Sequence, residues 1–319
     1  MSIPRAALNT GVASSRAILP EPPAYWSYSS LREVQECPLR YALERASYPD
    51  LWRGKGYPPL PTAAALFGNV VHAALGSVVK ALSAAGVASS QAVEATETLR
   101  NIGGLTAVVE GATTAQLAPL DDNPRLNDDQ RGRITRDLWG RAPEARVQVQ
   151  TYLSRTAFAP TAAPNVSSHS SGQRNAYRRR ELGDGSHAEA TLIADDLRLI
   201  GRIDLLTIFG TTVRLVDFKT GRELPAHRDQ LRLYALLWER DGLANPRHLG
   251  IDSLTAAYQG IDVLVEVPSA ADLQELAEGV SSQVERADAE LQSGSPTPVP
   301  SESTCQYCGV RQICEAYWR

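Results

Sequence analysis

Leu197-Arg-Leu-Ile-Gly-Arg-Ile-Asp204-Leu-Leu-Thr-Ile-Phe209, a turn at Gly210, and Thr212-Val-Arg-Leu-Val-Asp217-Phe-Lys219 form the stretch on which the reading of this chain turns. Both halves are rich in Ile, Leu and Val, and Phe209-Gly210 separates them, so they read as two strands of a hairpin. Ala188–Ala194 adds a strand before them, across Asp195-Asp196. Asp217 and Lys219 are two residues apart, which on a strand sends both side chains to one face. Asp204 lies thirteen residues before Asp217, and pairing of the two strands would bring both carboxylates beside one amine. Phosphodiester hydrolysis needs that set: carboxylates for Mg²⁺ or Mn²⁺, and an ammonium to steer the attacking water or offset developing charge. Taken singly, each of the three residues is more often a surface charge at a strand end.

Outward from this hairpin, Arg228–Arg240 has helical spacing. Ser253–Tyr258 and Ile261–Val267 read as two more strands, and Ala270–Gln292 as a helix. Toward the N-terminus, Tyr25–Ala46 reads as a helix interrupted near Pro38, with Ser29 and Ser30 as N-cap candidates. Ser47–Pro61 reads as a loop and Leu66–Ala85 as a helix. Helices are also expected over Ser90–Asn101 and, as one piece, Asp128–Arg155, with Gly-, Thr- and Pro-rich connections between. Pro160–Gln173 and Gly294–Ser303 read as polar linkers. The order predicts a mixed α/β core carrying an inserted helical region. Residues 1–24 are expected to be a disordered lead-in without a signal peptide, and 25–319 a single domain.

Hydrophobic residues make up 43% and charged residues 21%, as in soluble globular chains. No apolar run of membrane-spanning length occurs, so a cytoplasmic protein is expected. The net charge of −4 is not the footprint of a typical nucleic-acid binder, but a carboxylate metal site is acidic by construction and its cations reverse the local sign. Basic residues are clustered locally at Arg131, Arg133, Arg136, Arg141 and Arg146, and at Arg174, Arg178, Arg179 and Arg180. With Trp139, Tyr152 and Tyr177 they suggest a basic channel with stacking aromatics, or else ordinary solvated helix faces.

Asp204, then Asp217-Phe-Lys219-Thr-Gly221, then Gln230-Leu-Arg-Leu-Tyr234, with Gly68-Asn-Val-Val-His72 upstream, resembles the PD-(D/E)XK nuclease superfamily in its RecB-like branch. The resemblance implies a restriction-endonuclease-like fold, a mixed central sheet flanked by helices, with residues 87–173 as a helical insertion. It implies His72, Asp204, Asp217 and the backbone carbonyl of Phe218 as ligands of Mg²⁺ or Mn²⁺, and Lys219 as the catalytic lysine. Gln230 and Tyr234, one helical turn apart, would face the site and orient Lys219 or touch DNA. His72 alone would be read as a half-buried core histidine. Glu189 or Glu181 stands where an upstream acid sometimes occurs, and spacing does not choose between them.

Cys305-Gln-Tyr-Cys308 and Cys314 make a compact three-ligand set, and Cys37 is the one thiol left to complete it. Four cysteines without a disulfide context point to metal. This one-plus-three layout resembles the iron–sulfur nucleases of the RecB-like branch, such as the exonucleases of CRISPR adaptation and AddB-type nuclease domains. It implies a [4Fe–4S] cluster that closes the 295–319 tail on the Cys37 helix. Zinc is the alternative, although two close pairs are its usual pattern, and four reduced structural thiols are the plainest reading. The function expected is a metal-dependent exonuclease on single-stranded or free-ended DNA, in repair, recombination or defence against phages and plasmids. No Gly-Lys-Thr phosphate loop is present, so a helicase partner would be a separate chain. The alternative is a non-catalytic DNA-binding or scaffold subunit of a helicase–nuclease complex.

Overall fold

A computed structural model describes residues 17–52, 56–160 and 181–318. Arg174, Tyr177, Arg178, Arg179 and Arg180, most of the expected Pro160–Gln173 linker and residues 1–16 of the expected lead-in lie outside these. The chain groups into two compact units. One comprises Thr62–Pro119 and Arg131–Ala277; the other takes residues up to Pro61, Leu120–Gln130 and those from Glu278 onward.

The first unit is built on a five-stranded sheet in the order β1 (Gly185–Ala194), β2 (Leu199–Phe209), β3 (Thr212–Lys219), β4 (Ser253–Tyr258) and β5 (Asp262–Val265). All neighbours are antiparallel except β3 and β4, which run parallel. A parallel neighbour requires a crossover, and α8 (Pro225–Arg240) supplies it. Helix α8 starts three residues earlier than the sequence spacing suggests, because Pro225 occupies its first turn, where a missing N–H costs nothing. Its Leu231, Leu236, Leu237 and Trp238 are almost fully buried, as are Leu192, Leu199, Ile203, Leu205, Leu215 and Leu254 of the sheet. Each such side chain contributes about 1.5–3 kcal/mol by leaving water.

Helix α3 (Ala63–Ala84), N-capped by Thr62, buries Val70, Val71, Leu75, Val78 and Leu82. It has the length and composition of a membrane span, and 56% of that apolar stretch is buried in the fold, as in a core helix. Short α4 (Val93–Asn101) follows, and then α5 (Gly104–Leu117), where the sequence pattern predicts a connection. Gly103 and Gly104 mask its start, but Val109 and Thr113 are buried and hold it in the fold. The single helix expected over Asp128–Arg155 is two, α6 (Asp128–Gly140) and α7 (Ala142–Arg155). Pro143 in the first turn of α7 lacks the N–H needed to continue α6.

The other unit holds α1 (Tyr28–Glu36) and α2 (Pro38–Arg45), which part at Cys37, in extended conformation, just before Pro38. The N-cap is Ser27, one turn before Ser30, with which it forms a capping box; it is neither Ser29 nor Ser30. The carboxyl-terminal part of α9 (Ala270–Gln292) belongs here, followed by two short helices, α10 (Glu302–Cys305) and α11 (Glu315–Trp318). Ala46, Tyr48, Tyr57 and Val310 make a small core, against which Cys308 packs. Arg125 ties the tail in, donating to the Pro58 carbonyl at 2.7 Å and the Gly309 carbonyl at 3.0 Å, with its guanidinium over the Tyr57 ring.

Candidate active site

The β2–β3 ladder stops at Leu205 and Val216. One step further on, the strands part, and Asp204 and Asp217 face each other at the split. The β1–β2 register pairs Ala188 with Leu205 and Ala190 with Ile203, which sets Glu189 on the other side of Asp204. Three carboxylates therefore lie in a row across three adjacent strands. Asp204 spans the split, because its Oδ2 accepts from the Phe218 N–H at 2.7 Å, a donor the ladder leaves free. Its Oδ1 lies 3.2 Å from His72 Nδ1 on α3.

Asp217 is 3% exposed. Lys219 Nζ closes on its Oδ2 as an ion pair, but that oxygen has no partner in hydrogen-bond geometry among the described residues. Lys219 also donates to Gln230 Oε1 at 2.8 Å, and Gln230 Nε2 donates to Tyr234 Oη at 2.7 Å. The Lys219 backbone is held from below, where Tyr152 Oη donates to its carbonyl at 2.7 Å. Asp217, Lys219, Gln230 and Tyr234 are thus linked side chain to side chain.

Glycines let the helices approach. A Cβ at Gly68 of α3 would sit 3.1 Å from Thr220 Oγ1, and one at Gly76 would sit 3.2 Å from Glu189 Cγ. His72 lies midway between them, one turn from each, so its ring reaches Asp204. On β2, a Cβ at Gly201 would stand 2.5 Å from Leu237 Cδ1 and 3.0 Å from the Tyr234 ring, both on α8.

The electrostatics show crowded negative charge. Burial, and next the charge of Asp204, push the Asp217 carboxyl up to about 6, against the pull of Lys219. Burial also raises the Glu189 carboxyl, against Arg202, with Asp204 adding to the rise. Burial works to lower the His72 imidazole, but its bond to Asp204 and the charges of Asp204 and Asp217 raise it overall. Burial raises the Tyr234 phenol, followed by the same two aspartates. A divalent cation would offset the mutual repulsion in such a row. Carboxylate oxygens with one imidazole suit Mg²⁺ or Mn²⁺ chemically, and the buried Asp217 Oδ2, ion-paired to Lys219, has no hydrogen-bond partner among the described residues. Among the described residues, no three His, Cys, Asp or Glu side chains are drawn to ligand distance about one centre.

Of the expected site residues, the structure gathers His72, Asp204, Asp217, Lys219, Gln230 and Tyr234. Phe218 is buried against Tyr152, with its N–H on Asp204. Glu189 is at the site, whereas Glu181 is exposed ahead of β1. Tyr152 is no stacking platform; it is 1% exposed. Arg141 pairs with Glu144 and covers the Phe67 ring. The sequence reading passed over Arg202, Gly76 and Gly201, whose importance lies in contacts made across elements.

In the other unit, Cys37, Cys305, Cys308 and Cys314 line one cavity of about 20 Å³, together with Arg40 and Val310. That is room for about one water. No disulfide joins them, and the Cys37 Sγ accepts from the Val299 N–H at 3.5 Å. Burial, chiefly, raises the Cys308 thiol, with Cys314 among its neighbours. As they stand, these thiols are not at cluster-ligand distance.

No curated protein matches this chain. Among solved structures, the one described as the crystal structure of SSO0001 is 17% identical with a TM-score of 0.23, a likeness that carries no weight here. The match covers 37% of this chain and only about half, 52%, of that one. A family model for the PD-(D/E)XK nuclease superfamily matches residues 25–315. That span takes in the whole sheet and every side chain gathered at its split, and the chain belongs to the PD-(D/E)XK nuclease superfamily.

Proposed function

We propose that this chain is a Mg²⁺- or Mn²⁺-dependent deoxyribonuclease of RecB-like type, acting as an exonuclease on single-stranded or free-ended DNA. The observation that carries the reading is the linked set Asp217–Lys219–Gln230–Tyr234 at the split of β2 and β3. His72, Asp204, Asp217 and the Phe218 carbonyl would hold the divalent ion, which supplies an acidified water and neutralises charge on the phosphate. Lys219 offers its ammonium to the developing charge on the phosphorus oxygens. Gln230 holds that ammonium in place, and Tyr234 holds Gln230. Asp204 is kept from turning by the Phe218 N–H and His72, so its carboxylate is set before substrate arrives.

The four cysteines are the ligands of a [4Fe–4S] cluster in this reading, with zinc the alternative metal. Support comes from their lining of a single cavity and from the N–H···S contact on Cys37. Four unpaired thiols suit a reducing compartment, and we place the activity in the cytoplasm.

The test is purified protein with end-labelled single- and double-stranded DNA, in Mn²⁺ and in chelator, beside Asp217→Asn. Cutting is expected in Mn²⁺ and not in chelator, with a loss of at least about 10²-fold in the variant. The variant should melt no lower than wild type, because it removes one charge from a buried acidic row. Equal cutting by Asp217→Asn overturns the site. Binding of DNA without any cutting favours a non-catalytic subunit.

A further inference from the structure

Glu189 is strained. Among the described residues, it is the one non-glycine residue inside a strand with a positive φ, +57°. That conformation costs on the order of 1–3 kcal/mol. It leaves Glu189 out of the β1–β2 register and sets its side chain against Gly76, where an added Cβ would lie 3.2 Å from Glu189 Cγ. There the carboxylate meets Arg202, Nε to Oε2 at 2.8 Å. The Arg202 side chain is 71% exposed, and an ion pair so open to water contributes about 0–1 kcal/mol. Stability therefore does not account for the strain. A guanidinium gripped at Nε keeps its two terminal nitrogens for another acceptor, in the planar fork that suits a phosphate.

Arg202 stands two residues from Asp204 on the same strand, at the exposed end of the acidic row. It borders the site through Glu189, which stands beside Asp204 across β1 and β2. We infer that Arg202 binds the backbone phosphate next to the scissile one, and that Glu189 is the positioning residue that aims it. This rests on the nuclease reading above and adds a substrate contact to it. The strained turn at Glu189 then has a purpose: it presents a fixed cation beside a site that otherwise repels DNA. Sequence carries no part in this contact, since phosphate contacts fix register and not base identity.

The experiment measures equilibrium binding of a labelled single-stranded oligonucleotide across a salt series, in Ca²⁺ to block cutting, for wild type, Arg202→Ala, Arg202→Lys, Glu189→Gln and Arg202→Ala/Glu189→Gln. Arg202→Ala should flatten the slope of log K against log[salt] by about 0.7, the value of one phosphate contact on a single strand. Affinity should fall several-fold, and Arg202→Lys should recover the slope but not the full affinity. Glu189→Gln should weaken binding less than Arg202→Ala, and the double variant should match Arg202→Ala alone. An unchanged slope in Arg202→Ala overturns the inference, as does tighter binding by Glu189→Gln, which would make Glu189 merely a repelling charge. Cutting by wild type in Mn²⁺ is scored in parallel. Cutting with an unchanged Arg202→Ala slope sinks only the phosphate contact, and a wild type that does not cut sinks the nuclease reading instead.

Discussion

The acidic row and the cysteine cavity each gather side chains of kinds that can ligate an ion, but they draw them from very different lengths of chain. Asp204 and Asp217 are thirteen residues apart and joined by one hairpin, so strand pairing alone brings them together. Cys37 meets the tail 262 residues later, at Val299. Loop closure over that distance costs roughly 2–3 kcal/mol more than over a hairpin. The placement of Asp204 and Asp217 therefore follows from backbone hydrogen bonds within the sheet. The cysteine site relies on a four-residue core, on Arg125 and on whatever binds the thiols.

The strongest way to break this contrast is Cys308→Ser. Binding free energies of structural metal sites reach roughly 10 kcal/mol and count as folding free energy. Loss of one ligand should cost on the order of half of that. Brown colour should vanish, and hydrogen exchange should accelerate in α1, α2 and the tail while β1–β5 keep their protection. A colourless wild type with the same exchange pattern as the variant removes the cluster from the account. Acceleration throughout the sheet would show that the two sites do not differ in their dependence on a bound group.

Lys219→Met sharpens the comparison from the other side. It removes the ammonium but keeps the length of the side chain, and it should lower the rate by about 10²–10³-fold. DNA affinity measured in Ca²⁺ should change by no more than a few-fold, since one interior ammonium adds little to phosphate attraction along a strand. Parallel losses of rate and affinity would make Lys219 a binding residue and not a catalytic one.

The hairpin was legible because runs rich in Ile, Leu and Val on either side of a Phe-Gly turn mark two pairing strands. That pairing explains why Asp204, Asp217 and Lys219 could meet, while their roles were reached through the resemblance. Gln230 and Tyr234 were reached through a resemblance, and their spacing of one helical turn explains why they meet. Glu189 could not be separated from Glu181, because no spacing rule predicts a left-handed residue within a strand. Arg202 was passed over for the same reason, since its role depends on where Glu189 points. Helix α5 was missed because two glycines precede it and its burial of Val109 and Thr113 is decided by neighbouring helices, which a local pattern does not contain.

The smallest effect tests how far the sheet site depends on packing at one remove from the chemistry. Gly201→Ala adds a single methyl 2.5 Å from Leu237 Cδ1 and 3.0 Å from the Tyr234 ring. Leu237 is fully buried and Tyr234 is 5% exposed, so neither swings freely aside. Overpacking of this kind costs about 1–3 kcal/mol. In a unit of this size, that lowers the melting temperature by about 2–4 °C per kcal/mol. The methyl displaces the phenol that holds Gln230, and through it Lys219, so the cutting rate should fall several-fold at unchanged DNA affinity. Tyr234→Phe, which keeps the ring but drops the bond to Gln230, should lower the rate to a similar degree with little change in melting temperature. The double variant should lose less than the two losses combined, because both act on one hydrogen bond. Full additivity would mean that Gly201 serves helix packing alone and that the chain from Tyr234 to Lys219 does not transmit its displacement.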